Sequence, residues 1–251
     1  MSFVTEGDKV VRALHDVSFE LAEEEFVAIV GPSGCGKSTT LNILAGIMDH
    51  TEGTVLIRGR PPEERREDIG YVFQQDSVLP WRNVVDNIAI GLTIRQVPAA
   101  KRRERLAELV RLVGLEGFEH AYPAQLSGGM RKRVALATTL AYHPTILLMD
   151  EPFGSLDAQT RVLLQEELLR IWQEQRQTVL FVTHDLGEAI ALADRIIVST
   201  ARPMRIKKEY RVTLPRPRGA AEARFDPHFD ELYMAIWDDL RPEIAAQAKG
   251  G

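Results

Sequence analysis

The sequence predicts an α/β fold in which a parallel sheet carries an inserted helical lobe. Two apolar runs without alternation, Phe26-Val27-Ala28-Ile29-Val30 and Ile146-Leu147-Leu148-Met149, read as strands covered on both faces. Strand runs and helical periods alternate after residue 145, as in a βαβ chain. Between the first run and a helical segment starting near Thr39 lies the glycine-rich stretch Gly31-Pro32-Ser33-Gly34-Cys35-Gly36-Lys37-Ser38.

Taken in order, residues from about 9 to 31 read as strands, with Val17, Phe19 and Leu21 alternating against polar neighbours and a turn at Glu23-Glu24-Glu25. Gly46 ends the first helix, Gly53 to Gly59 reads as a short strand, and Ile69 to Phe73 as another. Residues 83 to 96, 99 to 113 and Gly128 to Tyr142 are helical by pattern and form the inserted lobe. Beyond the strand at Ile146 come a helix over 157 to 175, a strand from Thr178 to Val182, a short helix over 185 to 193 and a strand from Arg195 to Ser199. Pro203 to Leu214 reads as a strand or hairpin, and Pro215-Arg216-Pro217-Arg218 as an extended linker. A last helix capped by Asp226-Pro227 places Phe229, Leu232, Tyr233, Ile236, Trp237 and Leu240 on one face.

A chain of 251 residues, 45% hydrophobic and 27% charged, buries a sizeable core. Its net charge of −5, from 31 Lys plus Arg against 36 Asp plus Glu, argues against a nucleic-acid coat. Cys35 is the single cysteine, so no internal disulfide forms and a reducing compartment is expected. No apolar run approaches the ~20 residues that span a bilayer, and Met1 to Glu6 lacks a signal segment.

The glycine-rich stretch matches glycine, four residues, glycine, lysine, serine, and it follows a strand and precedes a helix, which is the context of a phosphate cradle. Gly31, Gly34 and Gly36 let backbone N–H groups turn inward on a polyphosphate. Lys37 supplies a charge to the β- and γ-phosphates, and Ser38 a hydroxyl to Mg²⁺. Asp150 emerges from the second buried strand at the carboxyl edge of the sheet and fits a Mg²⁺ ligand. Glu151 is placed to orient or deprotonate an attacking water. Ser127 with Gly128 and Gly129 opens a helix as a second anion site, which one fold does not need but two copies arranged head to tail do.

The phosphate loop, Leu126 to Met130, Ile146 to Glu151, Ser155-Leu156-Asp157 and Thr183-His184-Asp185, in this order, resemble the nucleotide-binding subunit of ABC transporters. A narrower similarity, to importers for nitrate, sulfonates and taurine, rests on Phe73-Gln74-Gln75-Asp76 with Leu79-Pro80-Trp81-Arg82, on Ser155 to Arg161, and on Leu214 to Arg218. The resemblance implies a P-loop NTPase core of the ABC ATPase type, with an antiparallel β subdomain and an inserted α-helical subdomain. It divides the chain into an ATP-binding core at 1–75 and 145–214, a helical subdomain at 76–144, and a linker and helix at 215–251.

The resemblance also implies roles. Gly31, Ser33, Gly34, Cys35, Gly36, Lys37, Ser38 and Thr39 would hold ATP, with Ser127, Gly128, Gly129 and Asp157 reaching the site of a second copy. Gln74 would touch Mg²⁺ with Ser38 and Asp150, and also the attacking water. His184 would hold the γ-phosphate, and Phe3 is the candidate for stacking on adenine. The lobe around Leu79 to Arg82 would face a transmembrane permease, with a solute-binding protein as indirect partner and no nucleic acid. The expected place is peripheral, on the cytoplasmic face of the inner (plasma) membrane. Glu24 stands where the family usually has glycine, Thr138 and Thr139 where it has arginine and alanine, and Met130 where glutamine is commoner. The runs Lys101 to Arg103 and Arg131 to Arg133 read as solvated helix faces, with a modest phosphate role left open for the second by its closeness to Leu126 to Met130. A non-transport ABC ATPase and a catalytically silent scaffold are the alternatives.

Overall fold

Six strands form the main sheet of the computed structural model, which describes residues 1–4, 10–75, 77–154 and 156–250 and the side chains of these except at 2–4, 10, 249 and 250. They are β3 (Phe26–Val30), β4 (Ile69–Val72), β5 (Ile146–Asp150), β6 (Thr178–Thr183), β7 (Arg195–Ser199) and β8 (Ile206–Arg211). β1 (Ser2–Val4) and β2 (Val10–Arg12) pair antiparallel as a separate ribbon. The main order is β4-β5-β6-β3-β7-β8, parallel except for β8, which returns antiparallel along β7.

Why the central strands lack alternation is visible in their two faces. Phe26, Ala28 and Val30 enter one core with Leu147, Met149, Val179 and Phe181, whereas Val27 and Ile29 enter the other with Leu41, Leu148, Leu180 and Val182. Both faces are buried, which is why β3 is apolar at every position. In the first core Phe26 meets Trp172 and Phe181 edge-on at centroid distances of 5.7 Å, the favoured aromatic geometry.

The helices follow the predicted order: α1 (Lys37–Leu44), α2 (Val84–Ile94), α3 (Ala99–Leu112), α4 (Gly128–Leu140), α5 (Ala158–Gln175), α6 (Leu186–Leu192) and α7 (Pro227–Gly250). Asn83, Ser127, Asp157 and Asp185 each cap a helix by accepting a backbone N–H three residues on. α7 buries Phe229, Ile236 and Leu240, leaves Tyr233 and Trp237 partly exposed, and continues beyond the predicted stripe through Pro242.

Three expectations change. Residues 13–25 alternate in burial, with Val17, Phe19 and Leu21 against the second core, but among the described residues they form no strand beyond a bridge from Leu14 to Met204. Alternation reports a half-buried extended chain; a strand also needs a hydrogen-bonding neighbour. Gly53 to Gly59 forms no strand either, because Arg58 and Gly59 take φ of 49° and 77° and fold Ile57 back onto Arg60. The Pro215 to Arg218 stretch is no loose linker. Arg218 is buried and donates to the carbonyls of Ala191, Ala193 and Leu214, while Arg216 bonds Asp194 and lies over the Trp172 ring. The end of α6 has carbonyls without helical partners, and a guanidinium fork satisfies several at once.

Candidate active site

Register brings the chemistry to one edge. Val30 pairs with Thr183, and Asp150 with Val182, so β3, β5 and β6 end level. The phosphate loop, the Asp150-Glu151 pair and His184 therefore leave the sheet side by side at its carboxyl edge. β4 ends beside β5, and Gln74 follows within two residues.

The loop itself is shaped as a cradle. Gly34 and Gly36 have φ of 72° and 133°, closed to residues with a Cβ. A Cβ on Gly31 would sit 1.9 Å from the Ser199 hydroxyl, and one on Gly36 3.0 Å from the Ala13 carbonyl. Cys35 is fully buried with its sulfur 3.4 Å from Ser199 Oγ, so it fills space. Lys37 is 5% exposed and donates to the carbonyls of Gly31 at 2.8 Å and Pro32 at 3.0 Å. An ammonium has three protons, so one is left for a phosphate oxygen. Ser38 and Thr39, in the first turn of α1, add N–H groups at its positive end.

Asp150 is 5% exposed, and its Oδ1 has no hydrogen-bond partner among the described residues. Burial pushes its carboxyl upward, against the Ser38 hydroxyl and the charges of Lys37 and Lys132. A buried carboxylate oxygen aimed at no protein donor is what a hard cation requires. Among the described residues no group of three or more His, Cys, Asp or Glu is placed to hold a metal ion.

Glu151 gathers the remaining residues. Its carboxylate accepts from Gln74 Nε2 at 3.4 Å and lies 3.2 Å from His184 Nδ1. With the carboxylate as acceptor, Nδ1 carries the proton and Nε2 is left for a second partner. The Glu151 backbone is left-handed at φ 45°, held by its N–H to Val182 at 3.0 Å and by Gly154 N–H to its carbonyl at 3.2 Å. Strain of this kind concentrates at reactive sites.

Two supporting groups escape sequence reading. Lys132 is 3% exposed and donates to the carbonyls of Phe73, at 2.9 Å, and Gln74, so the predicted solvated face instead pins the Gln74 loop. Its neighbours Arg131 and Arg133 also serve carbonyls, at Leu126 and at Val113 and Gly114. Glu188, 3% exposed, accepts from Thr183 at 2.8 Å and Gln165 at 3.2 Å, with Arg161 at 3.8 Å. It thus ties α5 and α6 to the residue preceding His184. Only a lysine or glutamate at a helix position facing inward signals this, and facing is not legible without the fold.

Burial raises the Glu188 carboxyl, against the Thr183 hydroxyl and Arg161, with Asp185 adding to the rise and His184 opposing it. An acid with a raised folded value binds its proton more tightly when folded, so its stability is present at low pH and lost as pH rises through that value. Glu188→Leu is expected to lower stability by about 1–3 kcal/mol through the unpaired Thr183 and Gln165 groups. It should also flatten this pH slope and reduce kcat, read by urea unfolding at several pH values and by ATPase assay.

Ser127 caps α4, accepting Met130 N–H at 3.2 Å, and a Cβ on Gly129 would lie 3.3 Å from Leu156. Gly128 is the first residue of α4. Asp157 caps α5; the Thr160 N–H holds its carboxyl below the usual range. The Phe3 side chain, Asp76 and Ser155 lie outside the described residues.

The ABC transporter family profile matches residues 14–154, more than half the chain and all of the phosphate-loop and acid-pair sequence. The chain belongs to the ABC transporter family. An uncharacterized ABC transporter ATP-binding protein of Methanocaldococcus jannaschii is 51% identical over 92% of this chain and 86% of that one. The taurine import ATP-binding protein of Rhizobium johnstonii is 44% identical over 93% of this chain and 91% of that one. A dimeric ATP-binding cassette in a post-hydrolysis state with ADP and Pi superposes at a TM-score of 0.78 and 33% identity, covering 85% of this chain and 96% of that chain. This ABC cassette binds and hydrolyses ATP. Among its described residues no helix is long and apolar enough to cross a membrane.

Proposed function

We propose that this ABC ATPase powers an importer for a small anion, such as taurine, another sulfonate or nitrate. The observation that carries its chemistry is the meeting of Gln74 and His184 on the Glu151 carboxylate beside the phosphate loop. Gly31, Ser33, Gly34, Cys35, Gly36, Lys37, Ser38 and Thr39 hold the phosphates of ATP. Ser38, Asp150 and Gln74 hold Mg²⁺, which when bound neutralises charge on the β- and γ-phosphates. Glu151 orients the attacking water and accepts its proton, and His184 fixes the γ-phosphate. The site closes when a second copy supplies Ser127, Gly128, Gly129 and Asp157, and Phe3 stacks on the base.

Residues 76–144 form the helical subdomain that meets the permease, on the core of 1–75 and 145–214, with 215–251 attached behind. The cassette works at the cytoplasmic face of the inner (plasma) membrane, bound to permease subunits that meet a solute-binding protein on the far side. The kinship to a taurine import subunit supports this reading. The test is ATPase activity of the cassette assembled with its permease in vesicles. Stimulation by a binding protein loaded with taurine, an alkanesulfonate or nitrate is expected; stimulation by none of these rejects the substrate class.

A further inference from the structure

The phosphate loop is held from outside by parts of the chain that lie far from it in sequence. Arg202, in the turn between β7 and β8, donates through Nε and Nη2 to the Gly34 carbonyl at 3.3 and 3.1 Å. Gln247, in the last turn of α7, donates to the Ser33 carbonyl at 3.4 Å, and its own Oε1 accepts the Arg202 N–H at 3.4 Å. The Gln247 side chain is thus tied to the Arg202 backbone, and the two side chains hold consecutive peptide groups of the cradle.

The support behind them is firm. Glu243, one turn earlier on α7, accepts Ala201 N–H at 3.0 Å and Lys207 Nζ at 2.8 Å, binding the helix to the same turn. Met204 is fully buried, bonds backbone to backbone with Ala13 and His15, and would lie 3.2 Å from a Cβ on Gly36.

The consequence follows from peptide planarity. In a trans peptide the carbonyl and the following N–H point opposite ways, so holding one aims the other. With the Ser33 carbonyl held outward, the Gly34 N–H is turned to the inner side of the loop. With the Gly34 carbonyl held outward, the Cys35 N–H is turned inward, where it closes the turn on Pro32 at 3.3 Å. A glycine-rich loop left to itself samples flipped peptides, and every flip presents a carbonyl oxygen to an anionic ligand.

We infer that Arg202 and Gln247 are positioning residues for ATP, and that the last turn of α7 acts as a brace that preorganises the phosphate loop. The inference rests on the assignment of Gly31 to Ser38 as the ATP cradle. Arg202 is exposed and Gln247 partly so, so truncating them lets water solvate the freed carbonyls and costs the apo fold little. The loss falls on binding, because the loop must then be ordered by the nucleotide itself.

The test uses the full chain with Mg-AMP-PNP titrations, steady-state ATPase kinetics and apo melting curves. Arg202→Ala and Gln247→Ala should each raise Kd and the KM for ATP by about three- to tenfold, on the scale at which 1.4 kcal/mol is tenfold. Both should leave kcat within about twofold and the apo Tm nearly unchanged, as expected when interactions common to bound substrate and transition state are lost. Arg202→Lys, which keeps a cationic donor, should recover part of the affinity. Unchanged Kd in both alanine variants overturns the brace, and so does a loss of affinity that matches a fall in apo Tm. Lys37→Ala separates the two ideas. If it also binds Mg-AMP-PNP normally, the assignment of the cradle has failed; if it alone loses binding, only the brace has.

Discussion

Glu151→Gln is expected to stop hydrolysis while ATP stays bound. The amide keeps the size of the side chain, so the site shape survives. What disappears is the ability to accept a proton from water, and a positioned base accounts for about 100- to 10,000-fold in rate. Glu151 is also the point on which Gln74 and His184 converge, at 3.4 and 3.2 Å. The variant should bind Mg-ATP with an affinity close to that of the natural chain and accumulate as an ATP-bound dimer. Light scattering with ATP reads the dimer, and phosphate release reads the rate. Hydrolysis at the normal rate would remove Glu151 from the chemistry.

Asp150→Asn is expected to separate stability from function in the opposite direction. The carboxylate is 5% exposed with an oxygen that has no donor among the described residues, so the apo fold carries a buried charge that is only partly compensated. Ser38, Lys37 and Lys132 act in its favour, yet burial prevails and holds the carboxyl above its usual range. Replacing it with the neutral isostere should therefore raise the apo Tm by about 2–4 °C per kcal/mol relieved. The same change removes the charge proposed to hold Mg²⁺ with Ser38 and Gln74. Mg-dependent nucleotide binding should fall by more than about tenfold, one 1.4 kcal/mol step. Calorimetry of the apo chain and titration of nucleotide with and without Mg²⁺ check both halves. A lowered apo Tm would show that Ser38 and the two lysines outweigh burial.

The parts of this molecule legible in sequence share one property, which is that neighbours in the chain decide them. The phosphate loop is read from eight consecutive residues because glycine conformation and the adjoining helix end are local matters. Helix starts at Asn83, Ser127, Asp157 and Asp185 are equally local, since a cap bonds an N–H three residues away. The covered strands announce themselves through unbroken apolar runs. Where pairing with a distant segment decides the outcome, sequence reading overreaches. Val17, Phe19 and Leu21 alternate as a strand does, yet among the described residues they join no strand, and Gly53 to Gly59 closes on itself.

Basic residues show the same division from the other side. Arg131, Lys132 and Arg133 look like a solvated run, and Arg216 and Arg218 like part of a linker, until the fold brings carbonyl oxygens to them. A guanidinium or ammonium takes whichever acceptors tertiary packing leaves unpaired, and composition does not say which.

Short-range stereochemistry made the α/β class, the phosphate loop, the acid pair at the end of β5 and the histidine after β6 legible from the residues alone. Only the tertiary structure decided that Gln74, Glu151 and His184 meet at one carboxylate, that Lys132 and Glu188 hold them there, and that the end of α7 reaches the phosphate loop. Apart from Glu188 on Thr183, five residues away, these contacts join segments separated by 23 to 214 residues. They depend on sheet register and helix packing, which bring each pair together only once the whole core has closed.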